Sequence, residues 1–313
     1  PEGANSLTLI ATDKAGNNTE ETITVNLDTT HDDTTAPIIN AGLAIDTGSS
    51  TEDNITSNPT ISGTVIDDTA IASLKANIGS IDLDITGLIA TDGSFTLDQD
   101  TLAVINNDDS LVDGEYTLNL TATDEAGNES IGSVSFTLDT ANPLLSAELV
   151  TDTGIDSDDN LTSDPTISGS VSDGNPISSL SASFGSIDLD ITDLIATDGS
   201  FSLDTDKLAE INDGNALADG TYSLNLTATD EAGNESVSSV SFTLDTTAPD
   251  VTISEPLANS NLADNNQLTG TVDEDLVSLV YRFNNGDDVA VDLTDSSFNQ
   301  PLDLAGLADG LYS

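Results

Sequence analysis

The sequence contains no cysteine, methionine or tryptophan. Without cysteine no disulfide can hold the fold, so hydrophobic cores and bound metal are the available means of stabilisation, and the redox compartment stays undecided. No apolar run approaches the ~20 residues that a membrane-spanning helix needs, which argues against direct membrane insertion. The chain shows no signal peptide and starts at Pro1 rather than Met, so we expect it to be a piece of a longer protein.

Basic side chains are also scarce. The chain has 4 Lys and Arg against 57 Asp and Glu, and its formal net charge is −53. Such a chain is repelled by phosphate backbones and by anionic membranes, which excludes nucleic-acid binding. Acidic chains with few aromatic residues are often disordered. Here, regularly alternating strand patterns predict a fold that forms once divalent cations neutralise the charge or salt screens it.

One stretch recurs and organises the chain. The sequence TATDEAGNES at residues 121–130 is repeated at 227–236, and a third version, IATDKAGNNT, lies at 10–19. On both sides of the Asp-x-Ala-Gly-Asn turn, apolar residues alternate with polar ones, which is the pattern of half-buried strands. Each copy therefore predicts a β-hairpin whose tip carries an Asp and an Asn around a glycine.

The repeat period is the length of one small domain. Pro37, Pro143 and Pro249 recur every 106 residues, which favours separate domains in a linear array over a solenoid. Each complete unit has about seven short alternating runs and no convincing helix beyond a turn near 100–105, so the predicted fold is an all-β, seven-stranded β-sandwich. The expected segments are a C-terminal hairpin at 1–35, complete repeats at 36–141 and 142–247, and a partial repeat without its last hairpin at 248–313.

Motifs in a fixed order resemble the bacterial Ig-like (BIg) repeats of giant, type-I-secreted, BapA-like or RTX-type surface adhesins. They are DTGSSTEDNITSNPTISGTV at 46–65, DTGIDSDDNLTSDPTISGSV at 152–171, the DGxYxLxLTATDEAGN segments and LDTTAP at 244–249. The resemblance covers nearly the whole chain. It implies tandem Ig-like sandwiches arranged as an elongated rod, an extracellular location at the bacterial cell surface, and a role in adhesion or biofilm formation. Tyr116, Tyr222 and Tyr312 follow Asp-Gly turns, where an Ig-like sandwich places a corner tyrosine.

Acidic loops are expected to meet where consecutive repeats join. In an Ig-like sandwich the A–B loop and the end of strand G lie at one pole, and the B–C and F–G loops lie at the other. Carboxylate and amide oxygens without His or Cys suit a hard cation, and Ca²⁺ accepts about six to eight oxygens in flexible geometry. No contiguous EF-hand loop is present, so the ligands would come from several loops. The candidate ligands are Asp28, Asp32, Asp33, Asp67, Asp124 and Asn128 at the first junction; Asp46, Asp53, Asn54, Asp139, Asp173, Asp230 and Asn234 at the second; and Asp152, Asp156, Asp158, Asp159, Asp245, Asp273 and Asp275 at the third.

These features predict a structural stalk or extender segment, stiffened by Ca²⁺, whose partners are neighbouring repeats of the same protein. The alternative to Ca²⁺ is that the acidic loops are plain solvated turns. Catalysis by paired carboxylates would need a cleft with aromatic platforms, and the chain has 4 Tyr, 7 Phe and no Trp, so we expect no enzyme. The single histidine, His31, lies in a linker without a nucleophile motif.

Two other functions stay open. One is a self-assembling extracellular filament, in which the N-terminal hairpin of one chain completes the truncated C-terminal unit of a neighbouring copy. The other is an adhesin module that binds a glycan or protein, for which the uneven loop at 281–288 is the place to look.

Overall fold

The computed structural model describes residues 3–27, 33–79, 81–185, 187–262, 266–304 and 307. The fold is all-β apart from short helical turns, which confirms the predicted class. The chain divides into two compact units. The first comprises Pro1–Asn142, Asp173–Pro176 and Asp230–Asn234, and the second comprises Pro143–Ser172, Ile177–Thr229 and Glu235–Ser313. Among the described residues, no helix has the length and apolar character to cross a membrane.

The first unit begins with a two-stranded hairpin and continues with a sandwich. The hairpin strands are β1 (Gly3–Thr12) and β2 (Asn18–Leu27). The sandwich strands are β3 (Ile38–Leu43), β4 (Ile55–Thr56), β5 (Ile61–Ile66), β6 (Ile71–Asn77), β7 (Leu83–Asp84), β8 (Ser94–Leu97), β9 (Gly114–Asp124) and β10 (Glu129–Leu138), with helix α1 (Gln99–Ile105) after β8. One sheet has the order β3-β5-β8 and the other β4-β10-β9-β6-β7. The two-residue strand β4, which pairs parallel to β10, is additional to the seven predicted strands.

The core of this sandwich follows from the alternation in the sequence. Leu118, Leu120 and Ala122 on β9 are fully buried, and Val134 and Phe136 on β10 pack beside them. At the corner before β9, the Tyr116 hydroxyl donates to the Val112 carbonyl at 2.7 Å. This bond ties the strand to the preceding loop, as expected of a corner tyrosine.

The second unit repeats this architecture. Its strands are β11 (Leu144–Leu149), β12 (Leu161–Thr162), β13 (Ile167–Ser172), β14 (Ile177–Ser183), β15 (Leu189–Asp190), β16 (Ser200–Leu203), β17 (Gly220–Asp230) and β18 (Glu235–Leu244), with helix α2 (Thr205–Ile211) after β16. The sheet orders are β11-β13-β16 and β12-β18-β17-β14-β15. Tyr222 donates to the Ala218 carbonyl at 2.8 Å and so forms the same corner. The two repeats, which have similar sequences 106 residues apart, therefore have the same strand topology.

A smaller sandwich follows in the second unit. Its strands are β19 (Val251–Glu255), β20 (Gln267–Val272), β21 (Val280–Tyr281), β22 (Val289–Ala290), β23 (Leu293–Thr294) and β24 (Ser297–Pro301). One sheet has the order β19-β20-β24-β23, and β21 pairs with β22 in the other. Leu268, Val272, Val291, Phe298 and Leu302 form the buried core. The predicted corner tyrosine Tyr312 lies outside the described residues.

A glycine in a central strand is required by the ring that crosses it. A Cβ on Gly63 would lie 2.6 Å from both the Asn40 carbonyl oxygen and the Phe95 ring. Gly169 and Gly270 lie in the same way beneath Phe201 and Phe298. The glycine in the repeated Ser-Gly or Thr-Gly pair of these strands thus leaves room for a phenylalanine that completes the core.

Replacing Gly63 with Ala should therefore destabilise the first sandwich. The added methyl overlaps backbone as well as the ring, so we expect a loss of about 1–3 kcal/mol in the free energy of unfolding, typical of an overpacked core. Gly87→Ala is the control, because a Cβ there meets nothing within 4 Å. Chemical denaturation of both variants measures the difference. Equal stability of the two variants would contradict the steric argument.

Candidate metal centre

The Asp-x-Ala-Gly-Asn turn is built by its first and last residues. Asp230 Oδ1 accepts from the Asn234 backbone N–H at 2.9 Å, and Asp230 Oδ2 accepts from Asn234 Nδ2 at 2.9 Å. Gly233 between them has φ +87°, which favours glycine. Asp124 with Asn128, and Asp13 with Asn17, make the same pair of contacts. The turn therefore fixes the Asp carboxylate at the end of its strand.

Three carboxylates converge at the turn at 230–234. Asp139, Asp173 and Asp230 each offer an oxygen within 4.8 Å of the other two, and all three residues lie in the first compact unit. Asp139 is 3% exposed and Asp230 is 0% exposed. Asn234 Nδ2 also donates to the Asp139 carbonyl at 3.0 Å, and Asn175 Nδ2 donates to Asp139 Oδ2 at 2.7 Å. We name Asp139, Asp173 and Asp230 the buried carboxylate cluster.

This cluster has the donor chemistry of a hard-cation site. Among the described residues, the ion pairs join Lys207 to Glu210 and Arg282 to Asp288, so no basic side chain neutralises the cluster. Amide donors satisfy individual oxygens but leave the formal charges in place, and buried like charges are costly without a counterion. Three carboxylates with the Asp139 backbone carbonyl beside them match the oxygen ligands of Ca²⁺. The residues present therefore fit a bound divalent cation.

A loop of the first sandwich packs against the same turn. Thr47 Oγ1 donates to the Ala232 carbonyl at 2.6 Å, and a Cβ on Gly48 would lie 1.8 Å from the Glu231 carbonyl oxygen. Ala232 is completely buried by this packing. Thr47, Gly48 and residues 231–232 all belong to the first compact unit. We name this packing the loop–turn contact.

The predicted ligands Asp46, Asp53 and Asn54 lie in that loop rather than in the cluster. The Asn54 backbone N–H donates to Asp46 Oδ2 at 3.0 Å, and Asp53 Oδ1 accepts from the Ile55 N–H at 3.0 Å. Asp46 Oδ1 is buried and has no hydrogen-bond partner. The equivalent Asp152 shows the same pattern: its Oδ2 accepts from the Asn160 N–H at 2.9 Å, and its Oδ1 is buried without a partner. One oxygen of each loop aspartate thus stays available as a ligand.

A second carboxylate group forms at the preceding turn. Asp33, Asp67 and Asp68 each offer an oxygen within 4.8 Å of the others. Thr69 Oγ1 donates to Asp33 Oδ2 at 2.9 Å and to Asp67 Oδ2 at 2.8 Å. Asn128 Nδ2 donates to the Asp33 carbonyl at 3.0 Å, so Asp33 occupies here the place that Asp139 occupies in the buried carboxylate cluster. The predicted ligands Asp28 and Asp32 lie outside the described residues.

Asp124 stands beside this second group without being one of its three members. Burial alone would raise the pKa of Asp124, but side-chain and backbone hydrogen bonds from Asn128 outweigh it and hold the pKa below its usual value. The carboxylate is therefore kept ionised by the turn itself.

At the third predicted junction, acidic groups approach one another near the start of the small sandwich. Burial, followed by the nearby carboxylates of Asp245, Asp273 and Asp219, raises the pKa of Glu274. Asp273 Oδ1 accepts from the Asp250 N–H at 2.7 Å, and Asp245 Oδ1 accepts from the Thr247 N–H at 3.1 Å. Asp275 is exposed.

The acidic loop at 152–160 holds the other third-junction candidates. Asp156 Oδ1 accepts from the Asp158 N–H at 3.1 Å, and Asp159 Oδ1 accepts from the Leu161 N–H at 2.9 Å. Among the described residues, no group of three converging carboxylates includes these loop residues.

The structure adds polar residues that the sequence analysis did not select, namely Asp68, Asn175, Asp219 and Glu274. Asp68 and Asn175 each lie close to a selected aspartate, in Asp67-Asp68 and in Asp173-Gly174-Asn175. Their position beside a selected aspartate, in a loop between two strands, was the feature of the sequence that could have identified them. Only the folded loop shows which side chains come close to the other carboxylates.

Comparison with known proteins gives a family and several distant structures. The family model described as "Bacterial Ig-like domain" matches residues 33–140 and 141–246. A tetra-tandem repeat from the extending region of a large adhesion protein is 22% identical, over 99% of this chain and 76% of that chain, with a TM-score of 0.28. A Ca²⁺-stabilised adhesin that helps an Antarctic bacterium bind ice is 19% identical, over 95% and 72%, with a TM-score of 0.35.

A third structure, the fibronectin(III)-like modules of CbhA from Clostridium thermocellum, is 13% identical over 66% of this chain and 94% of that chain, with a TM-score of 0.35. A search among curated proteins found no match. With TM-scores this low, the structural likenesses carry no argument about this chain, and the family match stands as the informative finding.

Proposed function

Because the chain belongs to the family of bacterial Ig-like domains, we propose that it is an extender segment in the stalk of a bacterial cell-surface adhesin. In this proposal the segment lies outside the cell, has a structural rather than enzymatic role, and serves adhesion or biofilm formation by carrying a binding region away from the surface. The tandem matches to one family model support the repeated architecture, and the buried carboxylate cluster supports a metal-dependent one.

The buried carboxylate cluster is the observation that carries the proposal. Asp139 directly follows the last strand of one repeat, whereas Asp173, in the loop after β13, and Asp230, the last residue of β17, come from the repeat that follows it in the sequence. Ca²⁺ held by these three carboxylates would supply the positive charge that the described residues lack at this point. A second ion would be held by Asp33, Asp67 and Asp68.

Binding of this kind is linked to folding and rigidity. An ion that binds the folded arrangement and not the unfolded chain stabilises it by mass action, by about 2.7 kcal/mol when its concentration is a hundred times its dissociation constant. When the ion is removed, the carboxylates are left to repel one another. We therefore propose that Ca²⁺ turns consecutive repeats into a stiff, rod-like stalk, and that its loss makes the stalk flexible.

The test is calcium removal from the whole chain. We expect excess EDTA to lower the melting temperature of the least stable transition by about 5–10 °C, since about 1 kcal/mol shifts the melting temperature of a 150–250-residue protein by about 2–4 °C. Small-angle X-ray scattering in the same buffers should show greater flexibility in EDTA. Restoring Ca²⁺, but not Mg²⁺ at equal concentration, should reverse both effects.

Unchanged melting and scattering in EDTA would contradict the calcium part of the proposal and would identify the acidic loops as solvated turns. Calorimetric titration of the EDTA-treated and dialysed chain with CaCl₂ gives an independent readout, because binding to a preformed cluster produces saturable heat.

A further inference from the structure

Each complete repeat holds a buried carboxylate oxygen without a hydrogen-bond partner. The two oxygens are Asp46 Oδ1 and Asp152 Oδ1. Both open a loop with the sequence Asp-Thr-Gly, at 46–55 and 152–161, and we name these the DTG loops. The other oxygen of each aspartate accepts from the backbone N–H of an asparagine in the same loop, at 3.0 and 2.9 Å. Because a buried charged oxygen without a donor is costly, its recurrence in both loops indicates a ligand that supplies positive charge.

Two backbone carbonyls converge on the same place as this oxygen in the second DTG loop. The point where a Cβ on Gly154 would lie is 3.7 Å from Asp152 Oδ1. The same point is 3.5 Å from the carbonyl oxygen of Asp156 and 3.3 Å from that of Leu161. Its three nearest heavy atoms, apart from the glycine and its chain neighbours, are therefore all oxygens that accept hydrogen bonds. A glycine keeps the space between them free of a side chain.

Three acceptors around one space suit a cation better than a water molecule. Water has two hydrogens and can donate to only two of the three oxygens. The ion pairs among the described residues lie elsewhere, so neither of them brings a basic side chain to this loop. The loop itself adds the carboxylates of Asp156, Asp158 and Asp159. A cation meets all three acceptors at once and offsets this charge.

We propose that residues 152–161 bind a Ca²⁺ ion through Asp152 Oδ1 and the carbonyl oxygens of Asp156 and Leu161. Water completes the coordination, since Ca²⁺ accepts about six to eight oxygens from carboxylates, carbonyls and water in flexible geometry. Mg²⁺ is disfavoured, because it demands near-ideal octahedral geometry with short bonds. All protein ligands come from one loop of one repeat. The site shares no residue with the buried carboxylate cluster, so it goes beyond the proposed function and does not depend on it.

The first DTG loop extends the assignment. Asp46 Oδ1 is buried without a partner even though the turn at 230–234 packs against this loop, so the unpartnered oxygen is a property of the loop itself. Gly48 is the counterpart of Gly154, and a Cβ there would lie 1.8 Å from the Glu231 carbonyl oxygen. The turn thus brings a further oxygen to the corresponding place. Asp46 Oδ1 holds an ion here in the same way, with the Glu231 carbonyl as an additional ligand.

Asp152→Asn distinguishes an ion site from an aspartate that only shapes its loop. The amide oxygen still accepts from the Asn160 N–H, as Oδ2 does in the wild type, and the NH₂ group takes the place of Oδ1. The amide hydrogens then face the carbonyls of Asp156 and Leu161 and take over the part of the ion. The variant should bind one Ca²⁺ fewer than the wild type. It should melt below the wild type in Ca²⁺ and above it in EDTA.

Native mass spectrometry and amide hydrogen exchange of the full chain, treated with EDTA and then titrated with CaCl₂, test the site. The first counts bound ions and the second locates them. In the wild type, Ca²⁺ should slow exchange at 154–161 by about tenfold or more, and MgCl₂ at equal concentration should not. In Asp152→Asn, Ca²⁺ should leave this exchange unchanged. Asp164→Asn is the matched control, because it removes the same charge from an exposed aspartate of the same repeat.

Equal ion counts in the wild type and Asp152→Asn would overturn the proposal, as would calcium-dependent protection at 154–161 that survives in the variant. The chain carrying Asp139→Asn and Asp230→Asn separates this outcome from failure of the proposed function. If only that chain loses an ion, the buried carboxylate cluster binds calcium and the loop site is wrong. If only Asp152→Asn loses an ion, the loop site stands and the cluster does not bind calcium. A wild-type chain that binds no Ca²⁺ would overturn both.

Discussion

Replacing Asp139 and Asp230 together by Asn should reduce the calcium response of the first unit to the part supplied by sites that keep their carboxylates, such as the second group, Asp33, Asp67 and Asp68. The substitution keeps the size of both side chains but removes two of the three negative charges that would hold the ion. In Ca²⁺ the variant should melt about 5–10 °C below the wild type, because it loses the stabilisation that ligand binding supplies. In EDTA the order should reverse, because the variant no longer holds three like charges together with two of them buried.

This reversal in the order of the melting temperatures distinguishes a cluster that binds metal from one that has only a structural role. Differential scanning calorimetry of both chains in Ca²⁺ and in EDTA measures it. Asp13→Asn is the matched control, because Asp13 makes the same turn contacts with Asn17, is exposed, and belongs to neither carboxylate group. If the double variant keeps the full calcium shift, the buried carboxylate cluster is not the site that stabilises the chain.

The strands of the repeats were readable from the sequence because their signal is local. Period-2 alternation at Leu118, Leu120 and Ala122 requires only that one face of a strand be buried, and the structure buries all three. β9 ends at Asp124 and β10 begins at Glu129, directly after Asn128, so the Asp and Asn of the turn mark where each strand meets the turn. By contrast, β4 has two residues and no alternation, so nothing in its sequence distinguishes it from loop.

The candidate site was partly predictable, because the order of strands in a sandwich fixes which loops share a pole. That rule selected Asp139, Asp173, Asp230 and Asn234 as neighbours, and the structure places them together. The rule could not tell which carboxylates of a loop join the cluster. Asp46 does not join it: its Oδ2 accepts from the Asn54 N–H within its own loop, and its Oδ1 is buried without a partner.

An insertion explains why Asp33, rather than Asp28, takes the place of Asp139 at the first junction. Counting from the strand end, Asp28 matches Asp139, because both follow a leucine that closes a strand. Counting back from the proline, Asp33 matches Asp139, because each precedes its proline by four residues. The hydrogen bond from Asn128 to the Asp33 carbonyl shows that the structure follows the second alignment. The five extra residues HDDTT made both alignments available from sequence.

The loop–turn contact is the feature that no sequence pattern could reveal, because its requirement is steric. Gly48 has φ +96° and lies against the Glu231 carbonyl. Glycine is common in acidic, turn-rich loops, so its presence at this position predicts nothing. A side chain is excluded here because the turn at 230–234 packs against the glycine, and this packing is visible only in the structure. The same sequence, Asp-Thr-Gly, recurs at 152–154, where a Cβ on Gly154 would meet no atom closer than 3.3 Å.

Gly48→Ala should therefore open the loop–turn contact. A methyl placed 1.8 Å from a carbonyl oxygen forces the loop away from the turn, breaks the hydrogen bond from Thr47 to Ala232, and adds the strain of a left-handed alanine. We expect a local destabilisation of about 2–6 kcal/mol, since overpacking and backbone strain each contribute about 1–3 kcal/mol. Amide hydrogen exchange at 230–234 should accelerate by about tenfold or more, because the turn loses the loop that covers Ala232.

Calcium affinity should fall in the same variant even though every carboxylate is retained. The turn that carries Asp230 would no longer be held in place, and a cation site loses affinity when its ligands must be ordered on binding. Gly154→Ala is the control for the protection at 230–234, because it makes the same change in the matching loop, where the added Cβ would lie no closer than 3.3 Å to another atom, against 1.8 Å at Gly48. Wild-type exchange at 230–234 together with wild-type calcium affinity in Gly48→Ala would show that the contact is incidental. A loss confined to Gly48→Ala would mean that steric packing between loop and turn positions the carboxylates before any ion arrives.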